Sequence, residues 1–215
     1  DETNYFNKIG STTTWNWQMG NQSQWLDDLN RKQVIFNIRG NNLANPYPDF
    51  CSQLVDIESG VSRELPLPVY VTAFNGKYAL CIDYKRLFIT HETIGYQAEH
   101  QYENMESAPD DDGIYNMDIA LGEYSLICSY QRLKEFSYVD SMEKATHWVS
   151  HIEISPNSER ILLLHRWSER VEDETCFLHR LITMNPDGSD MVLLECSDHP
   201  LPQLEENFDA NAVNT

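Results

Sequence analysis

Basic residues are scarce in this 215-residue chain: 15 lysines and arginines stand against 34 aspartates and glutamates, a formal net charge of −19. A field of that sign repels phosphate backbones and anionic lipid, which excludes nucleic-acid or membrane-surface binding as the main role. Long apolar runs are missing too, and none approaches the roughly 18 residues of a spanning helix. The five cysteines (Cys51, Cys81, Cys128, Cys176 and Cys196) contain no Cys-x-x-Cys pair and sit mostly inside apolar runs, where cysteine acts as a small hydrophobe. That usage fits a reducing, cytoplasm-like compartment better than an oxidising one. There is no Gly-x-Ser-x-Gly elbow, phosphate loop or dinucleotide fingerprint. Asp110-Asp111-Asp112-Gly113 lacks the alternating spacing of a calcium loop. Asp1 is not an initiator methionine, so removal of a signal or upstream segment is expected.

What is present is β-sequence. Eleven tyrosines and five tryptophans favour strands over helix bundles. From His147 to Leu194 the chain reads as one four-stranded unit. An alternating strand leads to a Ser-Pro-Asn-Ser turn at 155–158, a continuous apolar strand at 161–167, and a further strand before the Pro-Asp-Gly turn at 186–188. Two looser copies precede it, at about 15–65 and 68–129. In the second copy one strand reads from Tyr78 to Arg86, and Leu87 to Asp112 reads as a surface insertion rich in His, Tyr, Glu and Asp. The third strands end in matching turns, Asp56/Gly60, Asp118/Gly122 and Asn185/Gly188. A short helix is expected around Tyr138 to Ala145.

This pattern predicts an all-β fold, a β-propeller of four-stranded antiparallel blades filling residues 1–197, followed by an acidic, poorly ordered tail at 198–215. Propellers use about four to eight blades. Three therefore predict an incomplete ring, a fragment-like chain whose exposed blade faces invite association.

In a propeller, the segments entering first strands and leaving second strands gather on one face. Here they carry Trp17, His147 and His151 on entry, and Arg39, Arg86, His165, Arg166 and Trp167 on exit. Arg39, Arg86 and Arg166 are expected to share a rim and to cradle an anionic ligand, with Trp17 and Trp167 offering stacking surfaces. The alternative is that each arginine pairs with a local acid such as Asp83 or Glu169. His147 and His151 lie about 13 Å apart along a strand, too far to share one ion. His165 returns across the hairpin towards His151; a four-residue loop at 156–159 opposes it to Ser150, and a one-residue slip would align the two histidines.

His151-Ile152-Glu153-Ile154-Ser155-Pro156, Leu164-His165-Arg166-Trp167 and Asn185-Pro186-Asp187-Gly188-Ser189 resemble the blades of TolB-type propellers. More narrowly, they are similar to oligogalacturonate-lyase-like proteins. That resemblance implies a seven-bladed propeller acting by β-elimination on uronate oligosaccharides, with a divalent metal, typically Mn2+, held by His and Gln side chains. It assigns metal binding to His165, and His151 or His147 stands as the catalytic base. The family's Gln-x-x-His-x-His segment is missing from this chain, so the metal site is expected to be incomplete. A non-catalytic binding or interaction module, or an inactive fragment, is the alternative function.

Overall fold

The computed structural model describes residues 6–28, 31–99, 102, 104–173 and 176–197. Its strands form three four-stranded antiparallel sheets, each a meander whose sequence neighbours are hydrogen-bonded neighbours. The first holds β1 (Gln24–Asp28), β2 (Arg31–Arg39), β3 (Phe50–Asp56) and β4 (Ser62–Leu65). The second holds β5 (Val69–Thr72), β6 (Tyr78–Cys81), β7 (Gly113–Asp118) and β8 (Tyr124–Ser129). The third holds β9 (Thr146–Ile154), β10 (Ile161–Ser168), β11 (Leu178–Met184) and β12 (Val192–Ser197). The chain is therefore all-β, and the expected tail at 198–215 lies outside the described residues.

The turns follow from residue chemistry. Asp56 accepts from the backbone N–H groups of Glu58 and Ser59, and its carbonyl receives Gly60 N–H. Asp118 repeats this with Leu121 and Gly122. At the third position Gly188 has φ +80°, and a Cβ there would lie 2.0 Å from the Ile127 carbonyl oxygen of the second sheet, so only glycine fits.

The sheets pack face to face. Leu26, Ile35, Leu54 and Leu65 of the first meet Ala79, Cys81, Tyr115 and Met117 of the second. Leu80, Ile114 and Ile127 of the second join Val149, Ile161, Leu163 and Ile182 of the third in a larger core. Each of the leucines, isoleucines and valines contributes about 1.5–3 kcal/mol by leaving water. Polar side chains pin the first strands together. Gln24 on β1 donates to the Tyr70 carbonyl (3.1 Å) and accepts from Thr72 N–H (2.9 Å). The Tyr70 hydroxyl on β5 accepts from His151 N–H on β9 (2.8 Å). Asn37 clamps the Val69 backbone on both sides, at 2.8 and 2.7 Å.

Three expectations are corrected. The strand read as Tyr78 to Arg86 stops at Cys81, because Asp83 accepts from Lys85 N–H and caps a helix, α1 (Tyr84–Thr90). Residues 87–112 are a surface loop only in part: Leu87, Ile94 and Tyr96 are buried in the main core, while Glu92, Thr93, Asn104, Glu106 and Ser107 are exposed. The helix expected at 138–145 is one 3-10 turn at Asp140–Met142, while an unforeseen helix, α2 (Tyr130–Glu135), starts on a Ser129 cap.

The third sheet also carries a bulge. Ile154 pairs with Ile161 and Glu153 with Leu162, as a four-residue loop requires, but Ser150 then pairs with Leu164 and Val149 with His165. The extra residue is absorbed next to His151, whose φ is +50°. Within each sheet the short turns lie at one end and the long connections (40–49, 82–112, 130–145, 169–177) at the other. The second end carries the candidate site.

Candidate functional site

His165 does not meet His151. The bulge shifts the register by one, so His165 stands diagonally beside His147, with His147 Nδ1 and His165 Nε2 at 2.8 Å. Both rings are fully buried. A guanidinium can only donate, so Arg180 Nε, at 3.0 Å, makes His165 Nδ1 an acceptor. His165 must then carry its proton on Nε2 and give it to His147 Nδ1. His147 in turn carries its proton on Nε2 and donates to the Met142 carbonyl at 3.2 Å. One chain of donors runs Arg180, His165, His147, Met142, with both imidazoles neutral. Burial drives both pKa values down, His147 to about 4, and the Arg180 charge adds to the effect.

This arrangement does not fit a divalent metal on His165. Both of its nitrogens are committed, and a cation already sits 3.0 Å from one of them. Among the described residues no group of three or more His, Cys, Asp or Glu side chains could hold a metal ion. Trp167, expected as a stacking surface, is 1% exposed and donates to Ser141 Oγ (3.1 Å). It belongs to the core.

The three arginines share one partner segment. Arg39 Nη1 donates to the Gln97 carbonyl (2.6 Å) and its guanidinium lies over Phe50. Arg86, on α1 rather than a strand, pairs with Asp112 (3.1 Å) and donates to the His147 and Glu106 carbonyls. Arg166 Nη1 meets His91 Nδ1 at 3.2 Å, just beyond α1. The 82–112 connection thus carries Arg86 and, through Gln97 and His91, meets Arg39 and Arg166 at the end of the long connections.

They are not equivalent. Every guanidinium nitrogen of Arg86 has an acceptor, and so does every one of Arg180, whose Nη1 and Nη2 donate to the Ser137 and Leu133 carbonyls. Arg166 is 8% exposed, forms no carboxylate pair among the described residues, and its Nε is buried without a partner. Phe177 stacks under it at 4.7 Å. Burial lowers its pKa. Its charge reaches Tyr70 and His151, pulling both downward, although burial outweighs it at Tyr70 and leads at His151. His151 has its ring exposed, with Nδ1 against Ser150 Oγ (3.1 Å).

Trp17 is 84% exposed and edge-on to Trp15 at 5.0 Å. The adjoining Asn16 anchors that loop to the Ile94 carbonyl (3.0 Å), three residues past His91. Tyr70, His91, Arg180, Asp83 and Tyr102 were not singled out as site residues. Asp83 carries a helix-cap signature ahead of Tyr-Lys-Arg-Leu, whereas Tyr70 and His91 give no local sign.

Beside the N-terminal end of α1, Asp83 accepts from Tyr102, and Asp112 accepts from Tyr47 (2.8 Å) and Arg86. Burial and the neighbouring Asp112 push Asp83 up to about 6. A search of family models, curated proteins and solved structures found nothing that matches this chain.

Proposed function

We propose that this chain is a propeller-type binding module for a carboxylated saccharide, seated at the end of the sheets where the long connections gather. The observation that carries it is Arg166. A buried guanidinium without a counter-ion is costly, and an orphan Nε beside a stacking ring is the complement of a carboxylate. Tyr70, His91 and His151 surround it with groups able to meet ring hydroxyls, and Trp17 offers an exposed aromatic face.

The propeller arrangement draws support from three features. The first strands of successive sheets are adjacent, the sheets stack face to face, and their turns match in chemistry. Leu162, Leu164, Leu181 and Val192 share a half-buried to exposed face of the third sheet, suited to packing against one more sheet.

A second reading, β-elimination at the same place, rests on His151, the one histidine of the three whose ring is exposed, and which burial and the Arg166 charge hold neutral by lowering its pKa. No metal step enters it. Titration of galacturonate and trigalacturonate by calorimetry tests the binding reading, and absorbance of an unsaturated product tests catalysis. Saturable binding that is lost in Arg166→Met supports the module; binding without absorbance gain removes the lyase.

A further inference from the structure

We propose that the cleft beside the N-terminal end of α1 is a second saccharide subsite that accepts a neutral, hydroxyl-bearing ring and rejects an acidic one; this rests on the Arg166 reading. The cleft measures about 520 Å³ between the 40–49 connection and residues 83–112, within the range of small-ligand sites. Tyr102, Tyr115 and Tyr124 line it. Tyr124 is 36% exposed, and Tyr115 meets it edge-on at 5.9 Å. Tyr124 presents the exposed ring, and Asn104 and Asp111 stand beside it with polar groups. A sugar ring has the matching anatomy: a C–H face for an aromatic surface and hydroxyls for amides and carboxylates.

Charge decides which ring. Asp83, Glu106, Asp111 and Asp112 all line the cleft, against Lys85 and Arg86. Arg86 is consumed by Asp112 and two carbonyls, which leaves Lys85, its ammonium 4.0 Å above the Tyr102 ring, against Asp83, Glu106 and Asp111. A uronate placed there would face a lining with more acids than cations, whereas a neutral ring would find charge-assisted acceptors for its hydroxyls.

The two subsites belong to one ligand. Asp83 and His91 cap opposite ends of α1, a seven-residue helix about 10 Å long, and His91 is the partner of Arg166. An oligosaccharide with a carboxylate at Arg166 can therefore reach the cleft a few rings away. The substrate class that follows is a mixed saccharide in which acidic and neutral units alternate or adjoin.

The test is calorimetric titration with three probes: monogalacturonate, hexagalacturonate, and a hexasaccharide alternating galacturonate with rhamnose. The alternating hexamer is expected to bind at least tenfold tighter than either of the others. Tyr124→Ala, at an exposed rim position, should erase that gain and leave monogalacturonate unchanged. Asp111→Asn should instead improve hexagalacturonate by several-fold. If monogalacturonate binds through Arg166 but the alternating hexamer gains nothing, or hexagalacturonate binds as tightly, the cleft proposal is overturned while the Arg166 reading stands. Absence of monogalacturonate binding in the unmodified protein overturns both.

Discussion

A guanidinium removed from water with one hydrogen-bond partner costs several kcal/mol unless something compensates it. Arg166 and Arg180 are both buried, and they predict opposite outcomes. Arg166→Met should leave stability unchanged or raise it by about 1–2 kcal/mol in urea unfolding, because an unpaired charge is replaced by apolar volume. Arg180→Met should lower it by about 3 kcal/mol, since His165 Nδ1 and the Leu133 and Ser137 carbonyls all lose their donor. Equal losses in the two variants would mean that Arg166 is a structural residue. His151 is a similar case. Its positive φ costs about 1 kcal/mol in a non-glycine residue, so His151→Gly should stabilise slightly while weakening saccharide binding.

The histidine pair also sets a pH dependence. The folded protein keeps His147 neutral down to about 4, while the unfolded chain takes up its proton below the ordinary value of 6.5. Stability from this group is therefore complete above 6.5 and falls as pH drops towards 4, on the order of 1.4 kcal/mol per pH unit. Asp83 works the other way, since its raised pKa adds stability between about 6 and 3.8 as pH falls. Subtracting the urea-unfolding profile of His147→Gln isolates the histidine contribution, and a flat difference between pH 6.5 and 4 would contradict it. His147, His165 and Trp167 looked like site residues because polar or aromatic groups near a strand end can face a site or the interior. Alternation cannot separate the two. The bulge decided it, and histidine's tolerance of positive φ is the faint sign that sequence offers.

At the scale of elements, strand and turn positions were readable because period-two alternation and Asp/Asn–Gly turns are local signals. Asp56, Asp118 and Asn185 each sit where expected. Two of these turns give a graded prediction. Gly60 has φ +72° and open space around it, so Gly60→Ala should cost about 1 kcal/mol, the backbone term alone. Gly188→Ala adds a collision with the Ile127 carbonyl and should cost clearly more, read from thermal or urea unfolding. The helices were harder. Tyr78 to Arg86 reads as one strand, and only Asp83 marks the break. What holds 82–112 down is long-range: Arg86 to Asp112 and His147, Arg39 to Gln97, and Tyr47 to Asp112. Such pairings have no local signature, so the buried part of this connection was taken for surface loop along with the exposed part.

For the whole molecule, three stacked meanders with adjacent first strands place every long connection within reach of the others. That geometry is why residues 82–112, which carry Arg86, also meet Arg39 of the first sheet and Arg166 of the third; Arg166 forms no carboxylate pair among the described residues, and its buried Nε has no partner. The sign of the molecule matters as well. In a chain of net charge −19, a buried guanidinium with no carboxylate partner among the described residues favours an anion, and rising salt should weaken that binding only modestly because the charge is buried. The account therefore stands on Arg166 as a carboxylate receptor. Calorimetric titration of galacturonate into the unmodified protein and into Arg166→Met tests it most directly. The expected result is saturable binding that weakens at least 100-fold in the variant while the fold, judged by circular dichroism, is retained; equal affinity in the two proteins, or no binding in either, would contradict it.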